Sequence, residues 1–216
     1  MTRLKWGILL LLGSVLAFSW GCQKTYYAVW EQLGQEKRHL LKTQVEQARS
    51  DQEKASEEFK DALTRLKEIY GFQGGDLEDF YEKLRYDYDA LEKRAQVVAN
   101  RIERVDRTAN DLFAEWENEI GQINTPSFQA KSRQRLQDTR RRYDRLYRAM
   151  TQAHAKMEPV LTQLNDYVLY LKHNLNAQAI GSLQQEVGSI EVEVQRLIAD
   201  IGRSIQEADE FLKNFE

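Results

Sequence analysis

From Leu41 onward, seam positions recur in alternating steps of four and three: Leu41, Val45, Ala48, Gln52, Ala55, Phe59, Ala62, Leu66 and Ile69. A second stripe keeps the same step through Tyr81, Leu84, Tyr88, Leu91, Ala95, Val98, Ile102, Val105, Ala109, Leu112 and Trp116. The third runs Leu136, Thr139, Tyr143, Leu146, Met150, Ala153, Met157, Val160 and Leu164, flanked later by Leu161, Val168, Leu171 and Leu175. The fourth runs Ile180, Leu183, Val187, Ile190, Val194, Leu197 and Ile201, then reads as shifting by one at Ile205 before Ala208, Leu212 and Phe215. A period of 3.5 residues buries one seam of a helix against neighbouring helices. Four seams therefore predict an all-α fold of long antiparallel helices, packed as a coiled-coil-like up-down-up-down bundle.

The breaks between stripes have local causes. Gly71 reads as a left-handed helix stop and Gly74-Gly75 as a turn, with Asp76 as the next N-cap. Thr125 reads as a cap with Pro126 at the first helical position, where its missing N–H is not needed. No Gly or Pro marks the third break, but neither flanking stripe survives it, which places a turn or bend at Asn174 to Asn176, where Asn tolerates left-handed backbone. Pro159 is expected to kink the third helix. The predicted helices are 24–70, 77–122, 127–174 and 177–215, each roughly 60 to 70 Å long. Together they make residues 22–216 one elongated domain.

Composition agrees with this reading and narrows the function. Of 216 residues, 30% are charged and only 2 are Pro, a profile of solvated helices. A net charge of -3 argues against a general nucleic-acid binder, which needs an excess of Lys and Arg to neutralise phosphates. A single cysteine, Cys22, excludes an intrachain disulfide.

That cysteine ends an apolar run. Arg3 and Lys5 precede an uncharged stretch from Trp6 to Trp20, followed by Gly21 and Cys22, the layout of a basic n-region and an apolar h-region. Charge returns at Lys24, so the segment is short for a spanning helix. The run resembles a bacterial lipoprotein signal, with Gly21 before the cysteine, although Ser19 and Trp20 stand where such signals usually carry Leu and a small residue. The resemblance implies that residues 1–21 are a signal peptide and that Cys22 is the lipid-attachment residue, carrying palmitate-type acyl chains at the start of the mature protein. Gln23 after Cys22 implies sorting to the outer membrane. The alternative is an uncleaved signal anchor with an unmodified thiol. Tyr26, Tyr27 and Trp30 either sit at the headgroup layer or begin the first helical seam.

Charge is distributed unevenly among the helices. Residues 127–175 hold ten Lys and Arg against four Asp and Glu, residues 77–123 hold seven against twelve, and residues 176–216 three against eight. A basic helix flanked by two acidic ones selects its neighbours electrostatically. The same run offers a candidate anion-binding set, Arg133, Arg140, Arg141, Arg145 and Arg148, for lipid A phosphates or cell-wall polymer. Gly181, Gly188 and Gly202 recur at multiples of seven on the fourth helix, which suggests either close approach of a neighbour or local flexibility.

Catalytic and metal chemistry find no support. His39, His154 and His173 lack a second ligand at metal spacing, and "GFQGGD" lacks both the preceding strand and the Lys-Ser/Thr of a phosphate loop. No nucleophile, base and oxyanion set is apparent, so the chain reads as a non-enzyme without cofactor or metal.

The order of "GFQGGDLEDFYEKL", "LFAEWENE", "RRRYDRLYRAM", "KMEPVL" and "LKHNLNAQAIGSL" resembles the bacterial domain-of-unknown-function family numbered 2959, over nearly the whole chain from Gly21. The resemblance implies a helical envelope lipoprotein without an established reaction. The resulting expectation is a periplasm-facing, membrane-anchored scaffold, spacer or partner-binding module, with protein partners or a second copy engaged through helical seams. Binding of anionic envelope material is the alternative.

Overall fold

The computed structural model describes residues 21–71 and 77–215, with side chains described from Glu36 onward except that of Ala177. The expectations for residues 1–20, for Gly74, Gly75 and Asp76, and for the side chains of Cys22, Tyr26, Tyr27 and Trp30 lie outside the described residues.

The chain forms α1 (Gly21–Lys67), a short 3-10 turn (Glu68–Gly71), α2 (Leu77–Gln122), α3 (Pro126–Ala155), α4 (Met157–His173) and α5 (Ala177–Lys213). The first two boundaries follow the stripes closely. The expected third helix is two, because Lys156 interrupts the α-helical run between α3 and α4. Pro159 explains the position of this break. It has no N–H for the carbonyl of Ala155, four residues back, and its ring crowds that carbonyl, so the distortion falls upstream of the proline itself. Pro159 then sits in the first turn of α4, where N–H groups have no intrahelical partner anyway.

Connections differ in detail from their sequence reading. Gly71 closes the 3-10 turn without a left-handed φ. Thr125 is the N-cap residue of α3 and Pro126 its first residue, but the Thr125 side chain makes no cap hydrogen bond. The break at Asn174 to Asn176 is present, yet neither asparagine is left-handed: Asn174 has φ -135° and Asn176 φ -146°. Side-chain chemistry makes this turn instead. Asn176 Oδ1 accepts from the Ala179 N–H at 3.0 Å, and Asn174 Nδ2 donates to the Tyr170 carbonyl at 2.8 Å.

Cross-helix pairs give the topology. Lys37 to Glu115, Asp51 to Arg101 and Arg65 to Asp87 rise on α1 as they fall on α2, so these helices are antiparallel. Tyr143 to Asp106 and Arg140 to Glu117 join α3 to α2, and Arg145 to Glu207 and Tyr167 to Glu186 join α3 and α4 to α5. Arg49 to Asp209 and Lys67 to Glu191 close α5 onto α1. Each long helix thus packs on two neighbours, and the α1–α3 and α2–α5 diagonals make no close backbone contact among the described residues. The basic α3–α4 stretch lies between the two acidic helices, as its charge suggests.

One core runs the length of this bundle. It takes all nine positions of the α1 stripe and aromatic anchors such as Phe59, Tyr143 and Phe211. On α5 the stripe does not shift at Ile205. It continues in phase through Ile201, Ser204, Ala208 and Phe211, with Ser204 fully buried and Ile205 and Leu212 at the margin. A serine at a seam position disguised the continuity. Gly181, Gly188 and Gly202 are exposed, with nothing within 4 Å of a Cβ built on any of them, so they serve no close helix approach.

α5 is shorter than α1, than α2 and than the α3–α4 stretch taken together. α5 spans 37 residues against 47 in α1, or roughly 55 Å against 70 Å. Extrapolating from the Arg49–Asp209 and Tyr143–Phe211 contacts puts Phe215 near the level of Lys42 and Thr43 on α1 and Asp138 on α3. Beyond that level, among the described residues, α1, α2 and α3 continue without α5 as far as about residue 30 of α1, where α2 ends.

Candidate functional site

The five arginines of the candidate anion set do not converge. Arg140 turns toward α2, donating to Glu117 Oε2 at 2.7 Å, with its guanidinium 5.7 Å from the centre of the Phe113 ring. Arg145 turns toward α5, with Nε 3.6 Å from Glu207. Arg141 pairs with Asp138 one turn earlier on α3. Arg133 and Arg148 are exposed, and neither side chain has a hydrogen bond or ion pair among the described residues. They are fifteen residues apart, roughly 22 Å along the helix. Three of the five thus already answer carboxylates.

Arg145 and Arg148, with Gln152, Asp200, Arg203 and Glu207, line an open groove of about 310 Å³ between α3 and α5. Asp200 and Glu207 hold Arg203 and Arg145 respectively, so the positive charge here is largely matched. The groove is level with Gln52 of α1, roughly 45 Å along the axis from Cys22.

A second groove, of about 350 Å³, opens between α2 and the α3–α4 bend. Tyr88, Glu92, Gln96, His154, Glu158 and Asn165 line it above an apolar floor that includes Met157. The Tyr88 hydroxyl donates to Glu92 at 3.1 Å, and burial with that carboxylate pushes the phenol pKa up. The His154 side chain makes no hydrogen bond among the described residues and so does not act on the Tyr88 hydroxyl. His39 and His173 are exposed. No group of three His, Cys, Asp or Glu able to hold a metal occurs among the described residues.

A further charge cluster lies where α5 no longer covers the bundle. Lys37 Nζ is 3.1 Å from Glu115, whose side chain is only 6% exposed. The Arg38 guanidinium stacks 4.4 Å above the Trp116 ring, and Trp116 Nε1 donates to Ser132 Oγ at 3.0 Å. Desolvation, then the nearby Arg135 cation, lowers the Arg38 pKa, with Glu119 opposing. Desolvation, then the Glu115 carboxylate, raises that of Glu119 against the pull of Arg38 and Lys37. The sequence carried a signal for this cluster. Stepping the α1 stripe back from Leu41 lands on Arg38, a cation at a seam position.

A pH dependence follows from Glu119. Its folded pKa lies above its ordinary value, so the ionised form is disfavoured by folding at neutral pH and above, and the penalty fades as pH falls through that raised pKa. Glu119→Gln is therefore expected to raise the thermal midpoint at pH 7 to 8. The gain should shrink toward zero as the buffer is taken down to the ordinary carboxylate range. A gain that grows on acidification would contradict this assignment.

Comparison with known families gives one finding. The family model described as "Protein of unknown function (DUF2959)" matches residues 26–215. The chain belongs to this family. Comparisons with curated proteins and with solved structures give no match.

Proposed function

We propose that this DUF2959 protein is a non-enzymatic lipoprotein, tethered at Cys22 to the bacterial outer membrane and projecting its bundle into the periplasm as a spacer, scaffold or partner-binding module. The observation that carries the reading is the placement of Cys22. It follows the apolar run and Gly21, and it lies in the first turn of α1, which continues without a break to Lys67. An acyl group there is joined to the bundle by continuous helix rather than by a flexible linker. Support also comes from the even number of long helices, which brings the chain back toward the same end. No helix among the described residues is long and apolar enough to cross a membrane.

The alternative, a binder of anionic envelope material through the basic α3, is the weaker reading. Arg140, Arg141 and Arg145 have carboxylate partners within the chain. Lipid A phosphates in the tethering membrane would also lie roughly 45 Å from Arg148.

Intact mass and membrane fractionation of the full chain expressed with its own N-terminus, beside Cys22→Ser, test the proposal. The expected result is a chain beginning at an acylated Cys22 in the outer-membrane fraction, with both the added mass and the outer-membrane location lost in Cys22→Ser. An unmodified chain that retains residues 1–21 would overturn it.

A further inference from the structure

Two polar residues occupy seam positions of different helices, and they meet. Gln52 stands on the α1 stripe between Ala48 and Ala55 and is 1% exposed; Ser204 stands on the α5 stripe between Ile201 and Ala208 and is 0% exposed. The Ser204 hydroxyl donates to Gln52 Oε1 at 2.8 Å. The other end of the amide, Gln52 Nε2, is buried without a hydrogen-bond partner. A well-packed apolar pair would leave no such donor unanswered. Stability is therefore not what this pair supplies.

The alternatives it excludes explain its presence. A seam that repeats every seven residues is filled almost as well after a slip of seven. α1 is the helix most exposed to such a slip. Alanine takes three of its nine seam positions, and it is joined to α2 by the longest connection, whereas three-residue turns join α2 to α3 and α4 to α5. Moving α1 by one heptad against α5 sets Gln52 opposite Leu197 or Phe211, and Ser204 opposite Val45 or Phe59. All four are buried apolar side chains, and none can match an amide or a hydroxyl. The ion pairs that mark the same α1–α5 register, Arg49 with Asp209 and Lys67 with Glu191, are partly exposed, whereas the more enclosed Asp51–Arg101 pair ties α1 to α2.

We infer that the buried Gln52–Ser204 hydrogen bond fixes the axial register between α1 and α5. It acts by making every heptad-shifted packing bury unmatched polar atoms.

The register can be read from native residues. Lys67 Nζ lies 2.5 Å from Glu191 Oε1, so zero-length carbodiimide coupling followed by peptide mass spectrometry should join these two in the full chain. A one-heptad slip brings Lys60 to Glu191 instead. In a Gln52→Leu, Ser204→Ala double variant, the Lys60–Glu191 product is expected at a yield comparable with the native one, while the melting midpoint stays level or rises by a few degrees. The exchanged variant, Gln52→Ser with Ser204→Gln, restores a matched pair and should return the native product alone. A folded double variant that gives only Lys67–Glu191 overturns the inference, as does one that melts well below the parent or does not fold. So does an exchanged variant that folds and still slips.

Discussion

Phe59→Ala should destabilise the bundle by about 3 to 5 kcal/mol, the range for removing a buried aromatic side chain. The expected drop in thermal midpoint is roughly 6 to 20 °C for a chain of this size. Phe59 is fully buried, and its nearest neighbours on the α1 seam are Ala55 and Ala62, both at most 2% exposed. Methyl groups on either side cannot reach into the space a benzyl group leaves. Collapse around the cavity would require α1 itself to move, against ion pairs on two sides of it. Val192→Ala is the matched control, because Val192 is 44% exposed on α5 and should change stability by no more than about 0.5 kcal/mol. Thermal or denaturant unfolding of the two variants side by side decides the matter, and a Phe59→Ala loss no larger than that of the control would show that the α1 seam is not part of the core.

Arg101→Met should cost about 3 kcal/mol, near the lower end of what removal of one partner from a buried ion pair costs. Arg101 Nε lies 2.9 Å from Asp51 Oδ2, and the side chains are 19% and 12% exposed, which makes this the most enclosed cross-helix ion pair among the described residues. Arg101 also donates to Gln44 at 3.3 Å and to Gln47. Without it, Asp51 loses its ion-pair partner in a half-closed interface, where the nearby Arg94 is already paired with Glu58. The companion experiment adds Asp51→Leu. The double variant should recover most of the loss, since replacing both members of a buried pair by apolar groups is often neutral or better. A double-variant cycle in which the two losses simply add would show that Arg101 acts through its aliphatic stem rather than its charge.

The seams were legible because burial of one helical face leaves a period in the sequence, and three of the four stripes could be followed without interruption or with one polar member. The α2 boundaries follow directly, since Leu77 and Gln122 bracket an unbroken amphipathic run. Where a polar residue served tertiary packing, the pattern misled. Ser204 looked like the end of one phase and Ile205 the start of another, because nothing on α5 alone shows that Gln52 waits on a distant helix. The turn at Asn174 to Asn176 was placed correctly for an incorrect reason, since composition reveals that asparagines tolerate turns but not whether backbone or side chain makes the turn. The five arginines were chosen by charge along one helix. Their division between Glu117, Asp138, Glu207 and solvent depends on which helices flank α3. The charged end around Trp116 could have been found by continuing the α1 stripe to Arg38, at the point where apolarity fails but periodicity does not.

The early end of α5 has a mechanical consequence. Resistance of a rod to bending rises steeply with its cross-section, and among the described residues this rod has four helices along most of its shaft but three at the level of residues 30–42 of α1. A sideways load applied at the far tip, around Gly71 and Asn174, is therefore taken up mainly at that level. The shaft then moves as a stiff lever about a compliant neck, with more flexure there than curvature along the four-helix stretch.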